Sequence, residues 1–147
     1  MSVSLRIATP EDHARALALS TAFHGELGQP TDHLDGALAS LLAGVPHAVL
    51  YLIGPPKSPV GHAVVSFGYD LGLGGSTATL GELFIRPPVR GRGMGGEAIQ
   101  ALAAALGRHG VVALHIDAAA APARATVFVR RLRFAARPGQ TVLTRLL

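Results

Sequence analysis

The spacing of apolar residues changes along the chain and predicts helices and strands in turn. SVSLRIA alternates apolar and polar positions, which predicts an opening strand. In TPEDHARALALSTAFHG, Thr9 can cap a helix, Pro10 suits its first position, and Asp12 stands three residues after the cap. This pattern predicts a helix that Gly25 can end, and leucines at helical spacing predict a second helix over residues 31–42.

After Pro46 the apolar pattern becomes that of strands. HAVLYLIG, VGHAVVSFGYD and TATLGELFI are predicted strands, and the short turns between them predict an antiparallel meander. GGEAIQALAAALGRHG predicts a helix and VVALHID a strand. APARATVFVRRLRF predicts a last helix and VLTRLL a closing strand. Phe134–Arg137 is a candidate for a further short strand. The order β-α-α-β-β-β-α-β-α-β has no repeat or linker, and it predicts one α/β domain over residues 1–147 with a mixed sheet.

Composition narrows the class of protein. Apolar residues make up 49% of the chain and charged residues 15%, which argues against disorder. No stretch is apolar enough for a membrane helix and the N-terminus lacks an export signal, so we expect a cytoplasmic protein without membrane contact. Without cysteine there are no disulfides, thiol catalysis or cysteine metal sites, and we expect no metal. The net charge of +4 suits an anionic partner, although a basic surface explains it equally well.

The segment LFIRPPVRGRGMGGE, residues 83–97, places glycines and arginines between a predicted strand and a predicted helix. Glycine allows positive φ and lets a ligand approach the main chain. The first N–H groups of a helix have no intrahelical partner and lie at the positive end of its dipole, so this loop is expected to cradle a phosphate. Arg90 and Arg92 add suitable donors. A plain glycine-rich turn is the alternative, but a turn requires neither arginines nor so many glycines.

GRGMGG also fits the G-x-G-x-x-G fingerprint of dinucleotide-binding folds, and Asp117 ends the following strand about twenty residues later. Two features oppose that interpretation. Pro87–Arg90 separate the strand from the glycines, and a predicted meander rather than a series of βαβ units precedes the motif. The P-loop pattern is excluded because no Gly-Lys-Ser/Thr follows.

These residues resemble the core motif of the GNAT superfamily, the acyl-CoA-dependent N-acetyltransferases. In that motif a strand ending in an aliphatic-x-Pro run leads to Arg/Gln-x-x-Gly-x-Gly/Ala and a helix, and residues 85–87 (IRP) and 90–95 (RGRGMG) match it. The element order agrees along nearly the whole chain. LRIATPEDHARALA is similar to the family's first strand and helix, and FVRRLRF to its last helix, where Arg133 replaces the usual glycine.

The resemblance implies a single-domain fold with a mixed, mostly antiparallel sheet, a central splayed parallel strand pair and several flanking helices, about four. It implies transfer of an acetyl group from acetyl-CoA to a primary amine. The amides of residues 91–96 would bind the pyrophosphate, the open edge of the motif strand would bind the pantetheine, and an amide there would polarise the thioester carbonyl. The implied CoA-binding residues are Leu83, Phe84, Ile85, Arg90, Gly91, Arg92, Gly93, Met94, Gly95 and Gly96.

Direct transfer to an amine needs a base that removes a proton from the ammonium. Glu82 is the first candidate, because the family often carries a carboxylate there and because burial in an apolar run is expected to raise the pKa of its carboxyl. His115 is the second candidate, in LHI, where some relatives carry a glutamate. A structural role, as an ion-paired strand residue or as a satisfied histidine, is the alternative for each.

The chain departs from the resemblance in the last helix. Many relatives carry an Asn at its start and, further along, a Tyr that protonates the leaving thiolate. Here Pro122 or Ala120 stands at the Asn position and Val127 or Val129 at the Tyr position, and no tyrosine follows Tyr69. An acyl-CoA-binding sensor or interaction module without turnover is therefore the alternative to an enzyme.

Other basic residues are weaker candidates for the functional site. His13, His24 and His33, in the first two predicted helices, are expected at the surface, although His24 and His33 could contact a substrate. A group of arginines near the C-terminus could contact the 3′-phosphate of CoA or a nucleic acid. No aromatic residues lie between these arginines for bases to stack on, so we expect no nucleic-acid binding. This group is Arg124, Arg130, Arg131, Arg133 and Arg137.

The C-terminal segment suggests an assembly. Proteins with this resemblance are often homodimers, and the strand predicted from Val142 would leave Leu146 and Leu147 at a sheet edge with only Arg145 to interrupt it. An uncovered apolar edge favours pairing with another chain, so a homodimer is expected. The alternative is that the preceding helix and strand bury these leucines.

Overall fold

The computed structural model describes residues 3–116 and 130–147. It confirms the predicted element order from the first strand to the fifth. The strands are β1 Leu5–Ile7, β2 Ala48–Ile53, β3 Gly61–Asp70, β4 Gly75–Ile85 and β5 Ala113–Ile116. The helices are α1 His13–Glu26, α2 Leu34–Ala43 and α3 Met94–Arg108, and short 3-10 turns lie at Pro10–Asp12 and Pro87–Val89.

The five strands form one mixed sheet in the order β1-β2-β3-β4-β5. β1 to β4 pair antiparallel, as the short turns between β2, β3 and β4 predict. β5 pairs with β4 in parallel, and α3 makes the crossover that a parallel pair requires. The predicted mixed α/β fold is therefore confirmed, although the parallel pair lies at the edge of the described sheet and not at its centre.

Helices cover both faces of the sheet. On one face, leucines and alanines of α1 and α2 pack against β2 and Phe84 of β4. On the other face, the apolar side of α3 packs against β3, β4 and β5, and Leu132 and Phe134 from the C-terminal part join this core. Burial of these two apolar layers fixes which side chains of β4 point toward α1 and which toward α3.

β4 contains a bulge at Gly81. Val64 of β3 is opposite Glu82, but the next residue, Val65, is opposite Leu80, which leaves Gly81 without a partner. The described pairing between β4 and β5 also ends at Leu80. The second half of β4 therefore extends beyond the described part of β5.

An ion pair attaches the start of α1 to β1. The Arg6 guanidinium donates to both Asp12 carboxylate oxygens at 2.8 and 2.9 Å, and the Thr9 N–H donates to the same carboxylate at 2.8 Å. Hydrogen bonds from Arg6, and then from Thr9, outweigh the effect of burial and hold the pKa of Asp12 well below its usual range. The expected capping pattern of Thr9 and Asp12 is thus present, and it fixes the helix that carries His24.

Asp12→Asn is expected to lower the free energy of unfolding by about 2 kcal/mol at pH 7, because the charged hydrogen bonds of Arg6 are lost. Because folding lowers the pKa of Asp12, its contribution is fully present above the unfolded value, about 3.9, and is lost as the pH falls toward the folded value. The difference between wild type and variant should therefore stay constant from pH 7 to 5 and narrow below about pH 4. Urea denaturation across this range measures it, and a difference that grows on acidification would contradict it.

The two strands predicted near the C-terminus are wrong, whereas residues 130–131, within the predicted last helix, are helical. Residues 134–137 and 141–147 form no strand, and Val142, Leu143, Leu146 and Leu147 are each at least 90% exposed. These leucines thus belong to no described sheet edge, so the structural reason for a homodimer is removed and the dimer itself stays a prediction. Arg133, at the position where the resemblance expects glycine, has φ 71°, a left-handed conformation that favours glycine.

Part of the predicted last helix, with Asp117, Ala120, Pro122, Val127 and Val129, lies outside the described residues. Arg124, of the arginine group, does so as well.

Candidate active site

The glycine loop joins β4 to α3 through the 3-10 turn at Pro87–Val89. Gly91 and Gly93 both have φ 80°, in the left-handed region that residues with a Cβ avoid. Gly93 immediately precedes α3, and its carbonyl accepts a hydrogen bond from the Glu97 N–H. The backbone conformation therefore requires glycine at both positions, for a reason separate from any ligand.

The amides of this loop have no described backbone acceptor. The space beside the loop is open as well, because a Cβ built on Gly91 or Gly93 would meet no heavy atom within 4 Å. The amides of residues 91–93 donate no backbone hydrogen bond within the described chain, and those of the first turn of α3 have no intrahelical acceptor. A row of free N–H groups at a helix N-terminus has the geometry and polarity that a pyrophosphate needs. The binding itself stays a prediction.

Arg90 is held within the protein. One terminal nitrogen lies 2.8 and 2.9 Å from the two carboxylate oxygens of Glu26 at the end of α1, and its Nε donates to the Ile85 carbonyl at 2.7 Å. Its guanidinium carbon also lies 5.3 Å from the centre of the Phe84 ring. Arg92 is exposed and makes no side-chain hydrogen bond or ion pair with the described residues. Arg90 thus ties the loop to α1, and Arg92 is the arginine available to a phosphate.

Glu82 lies between two histidines. Its Oε1 is 2.9 Å from His62 Nε2 on β3, and its Oε2 is 2.9 Å from His24 Nε2 on α1. The side chains of Glu82 and His24 are 20% and 15% exposed, whereas that of His62 is fully buried. Each carboxylate oxygen therefore has its own imidazole, and the array of His24, Glu82 and His62 connects the sheet to α1.

The pKa of Glu82 shifts in the direction opposite to the one expected from the sequence. Burial by itself raises the pKa of the carboxyl, but the hydrogen bond and charge interaction with His62, and then those with His24, outweigh it and hold the pKa below its ordinary value. The expectation of a raised pKa is wrong because it counted the apolar strand and not the two imidazoles. Glu82 is therefore ionised at neutral pH.

Neither histidine partner of Glu82 was predicted from the sequence pattern. His62 stands in the apolar run VGHAVV, and a lone polar residue in a buried strand was the available signal. His24 was expected at the surface, but its contact with Glu82 joins residues that are distant in sequence, so only the packing of α1 on the sheet reveals it.

His115 lies elsewhere. It pairs with Thr79 of β4, before the bulge. Its neighbours Leu114 and Ile116 pack on the α3 side, so His115 is half-buried on the α1 side of the sheet. No hydrogen bond joins it to Glu82 within the described residues. The structure therefore does not bring the two candidate bases together.

The predicted pantetheine-binding strand has mixed burial. Phe84 is buried in the α1-side core, and Leu83 packs toward α3. Ile85 is half-buried, and its carbonyl accepts the Arg90 hydrogen bond. A ligand would therefore meet this strand mainly through its backbone.

Other site types find no support in the part of the chain that is described. No group of three or more potential ligands could hold a metal ion there. None of the described helices combines the length and the apolar character that a membrane span needs. The dinucleotide interpretation is wrong, because antiparallel strands and not βαβ units lead into the glycine loop.

The glycine loop and the sheet with its parallel β4–β5 pair agree with a family comparison. The model of the Acetyltransferase (GNAT) family matches residues 14–127. The chain therefore belongs to the GNAT family. No match is found among proteins with curated descriptions.

Solved structures agree with this assignment. A candidate acetyltransferase from Arthrobacter sp. FB24 is 32% identical, with a TM-score of 0.78 over 98% of this chain and 96% of that one. An integron cassette protein from the mobile metagenome of Cole Harbour Salt Marsh is 26% identical, with a TM-score of 0.79 over 97% and 90%. An aminoglycoside N-acetyltransferase in complex with CoA is 17% identical, with a TM-score of 0.72 over 98% and 94%, a likeness of fold alone.

Proposed function

We propose that this protein transfers an acetyl group from acetyl-CoA to a primary amine. The observation that carries the proposal is the row of free amides at the start of α3, which follows, after one 3-10 turn, the strand that holds Glu82 between two histidines. Acetyl transfer from acetyl-CoA requires a site that binds the pyrophosphate and a group that accepts a proton from the amine. The loop amides supply the first and the Glu82 array supplies the second. Family membership supports the same class of activity.

Each part of the segment has a distinct role. The amides of residues 91–96 and Arg92 hold the pyrophosphate, and the edge of β4 after Gly81, which lies beyond its described pairing with β5, binds the pantetheine through backbone hydrogen bonds. A backbone amide beside the bulge donates to the thioester carbonyl and stabilises the negative charge that develops there. Glu82 and its histidines take the proton that the acceptor ammonium must lose.

An acyl-CoA sensor without turnover is the second candidate. It is favoured by the absence of any tyrosine after Tyr69, since no phenol is then available in the last third of the chain to protonate the leaving thiolate. The ionised Glu82 array favours the enzyme, because a sensor has no need of a proton acceptor beside its ligand.

Two measurements decide between these functions. Calorimetry with acetyl-CoA should show binding at micromolar ligand. Release of free thiol should then occur with at least one member of a panel of small amines, aminoglycosides and peptides with free N-termini. Binding without thiol release from any amine would support the sensor, and no binding at high micromolar acetyl-CoA would overturn both.

A further inference from the structure

The array of His24, Glu82 and His62 brings together side chains from α1, β3 and β4. Glu82 is ionised and can only accept hydrogen bonds, so each imidazole must present an N–H to it. This requirement fixes a proton on Nε2 of His24 and on Nε2 of His62. The two histidines differ in what their other nitrogen contacts.

His62 contacts Glu82 from a fully buried position. Its Nδ1 has no hydrogen-bond partner in the described structure. The ring centre lies 6.0 Å from that of Phe23 and 5.9 Å from that of Phe84, two apolar rings. This position, closed to solvent and to a ligand, suits a residue that holds the Glu82 carboxylate in place.

His24 has a partner on both sides. Its Nδ1 lies 2.7 Å from Gln29 Oε1, an amide oxygen that can only accept a hydrogen bond. Both ring nitrogens of His24 therefore face acceptor oxygens, Glu82 Oε2 and Gln29 Oε1, a geometry that suits an imidazolium donating from both nitrogens. The His24 side chain is 15% exposed, whereas that of His62 is fully buried, so of the two rings only His24 is open to a ligand or to solvent.

The charged and titratable groups on the neighbouring elements have other described partners or reach the pair directly. Glu26, at the end of α1, is bound to Arg90 of the glycine loop at 2.8 Å. Asp35, from α2, is 3.0 Å from His13 at the start of α1, and neither has a described contact with the pair. Among the described residues, His62 on β3 is the titratable group that contacts the pair.

We propose that the His24–Glu82 pair, and not Glu82 alone, accepts the proton of the acceptor ammonium, and that His62 is a positioning residue for Glu82. This rests on the proposed acetyl transfer. The pair must first release its own proton to solvent. It then takes one proton from the ammonium, and the neutral amine forms the C–N bond as the C–S bond breaks. The sulfur leaves with the electron pair of that bond and takes up one of the two protons left on the amine, while the other stays on the product amide, so that charge and atoms balance.

The pH dependence of kcat/KM tests the pair. A pair that must lose its imidazolium proton gives a kcat/KM that rises with pH through the neutral range, with an apparent pKa that belongs to both residues. Glu82 alone, with its lowered pKa, would leave kcat/KM flat from pH 5 upward. His24→Gln should abolish the rise and lower kcat about 10- to 100-fold. A rise that persists in His24→Gln, or a flat wild-type profile, would overturn the proposal.

His62→Gln tests the positioning role, because glutamine keeps an N–H donor. It should retain the rise with pH while kcat falls and the affinity for acetyl-CoA stays unchanged. Loss of the rise in this variant would mean that His62 itself exchanges protons. His47→Gln is the matched control on an exposed histidine, and it should match wild type.

Nitrogen NMR of the histidine rings tests the array without any turnover. At pH 7, His24 should carry protons on both ring nitrogens, and His62 should carry a proton on Nε2 only. Glu82→Gln should remove the second proton of His24 at this pH and leave His33 unchanged. A singly protonated His24 that does not respond to Glu82→Gln would overturn the proposal even in an active enzyme. The predicted NMR pattern in a protein that acetylates no amine would instead show that the proposed function has failed.

Discussion

Replacing Glu82 with glutamine is expected to lower kcat/KM by about a hundred- to ten-thousandfold, the range that a positioned acid–base group contributes. Glutamine is close in shape to glutamate, but its amide cannot take up a proton and presents an N–H₂ group to one of the two imidazoles. The affinity for acetyl-CoA should stay near that of wild type, because Glu82 is distant along the segment from the amides of residues 91–96. Steady-state thiol release and calorimetry measure the two effects separately.

Two further variants test whether the loss of activity is specific to Glu82. Glu11→Gln changes an exposed glutamate at the start of the chain and should leave kcat/KM unchanged. His115→Ala should also keep most of the activity, since His115 makes no described hydrogen bond to the array. Nearly full activity in Glu82→Gln together with its loss in His115→Ala would show that the base has been misassigned and that His115 takes the role.

Gly93→Val is expected to weaken acetyl-CoA binding by about a hundredfold or more. Its side chain would occupy the open space beside Gly93 at the start of α3, and its branched Cβ would strain a backbone with φ 80°. Loss of two charge-assisted hydrogen bonds to phosphate, at about 1.5 to 3 kcal/mol each, accounts for a change of this size. Calorimetry with acetyl-CoA measures the loss.

Gly110→Val is a matched control at the other end of α3. Gly110 has φ 86° and, like Gly93, nothing within 4 Å of a built Cβ. Both variants should lose similar stability through backbone strain, but only Gly93→Val should lose affinity for acetyl-CoA. Equal losses of affinity would show that the effect follows from strain and that the loop does not bind the cosubstrate.

The glycine loop was predictable because its information is local. Positive φ at Gly91 and Gly93, and the start of α3 at Met94, follow from residues adjacent in sequence. The strands and helices up to β5 were predictable for the same reason, since each buries a face whose spacing can be read along the chain. The closing strand at residues 141–147 was not, because an apolar run forms a strand only where a partner strand supplies its hydrogen bonds.

Arg90 shows what a motif leaves out. Its position predicted a phosphate contact, which stays a prediction, and the structure adds an ion pair with Glu26, a residue distant in sequence. The same holds for the pKa of Glu82, which burial in an apolar strand would raise and which His62 and His24 lower. In both cases the deciding partner comes from another element of the fold.

The sequence by itself determined the family, the order of elements as far as β5 and the loop that presents free amides, because each depends on residues close together in the chain. Only the tertiary structure decided that Glu82 is ionised, that His62 is buried beside it, and that the surface histidine expected at residue 24 is its second partner. The electrostatic environment of a carboxylate depends on charges and donors within a few ångströms in space. The packing of α1 onto the sheet sets those distances, and no pattern along the chain contains them.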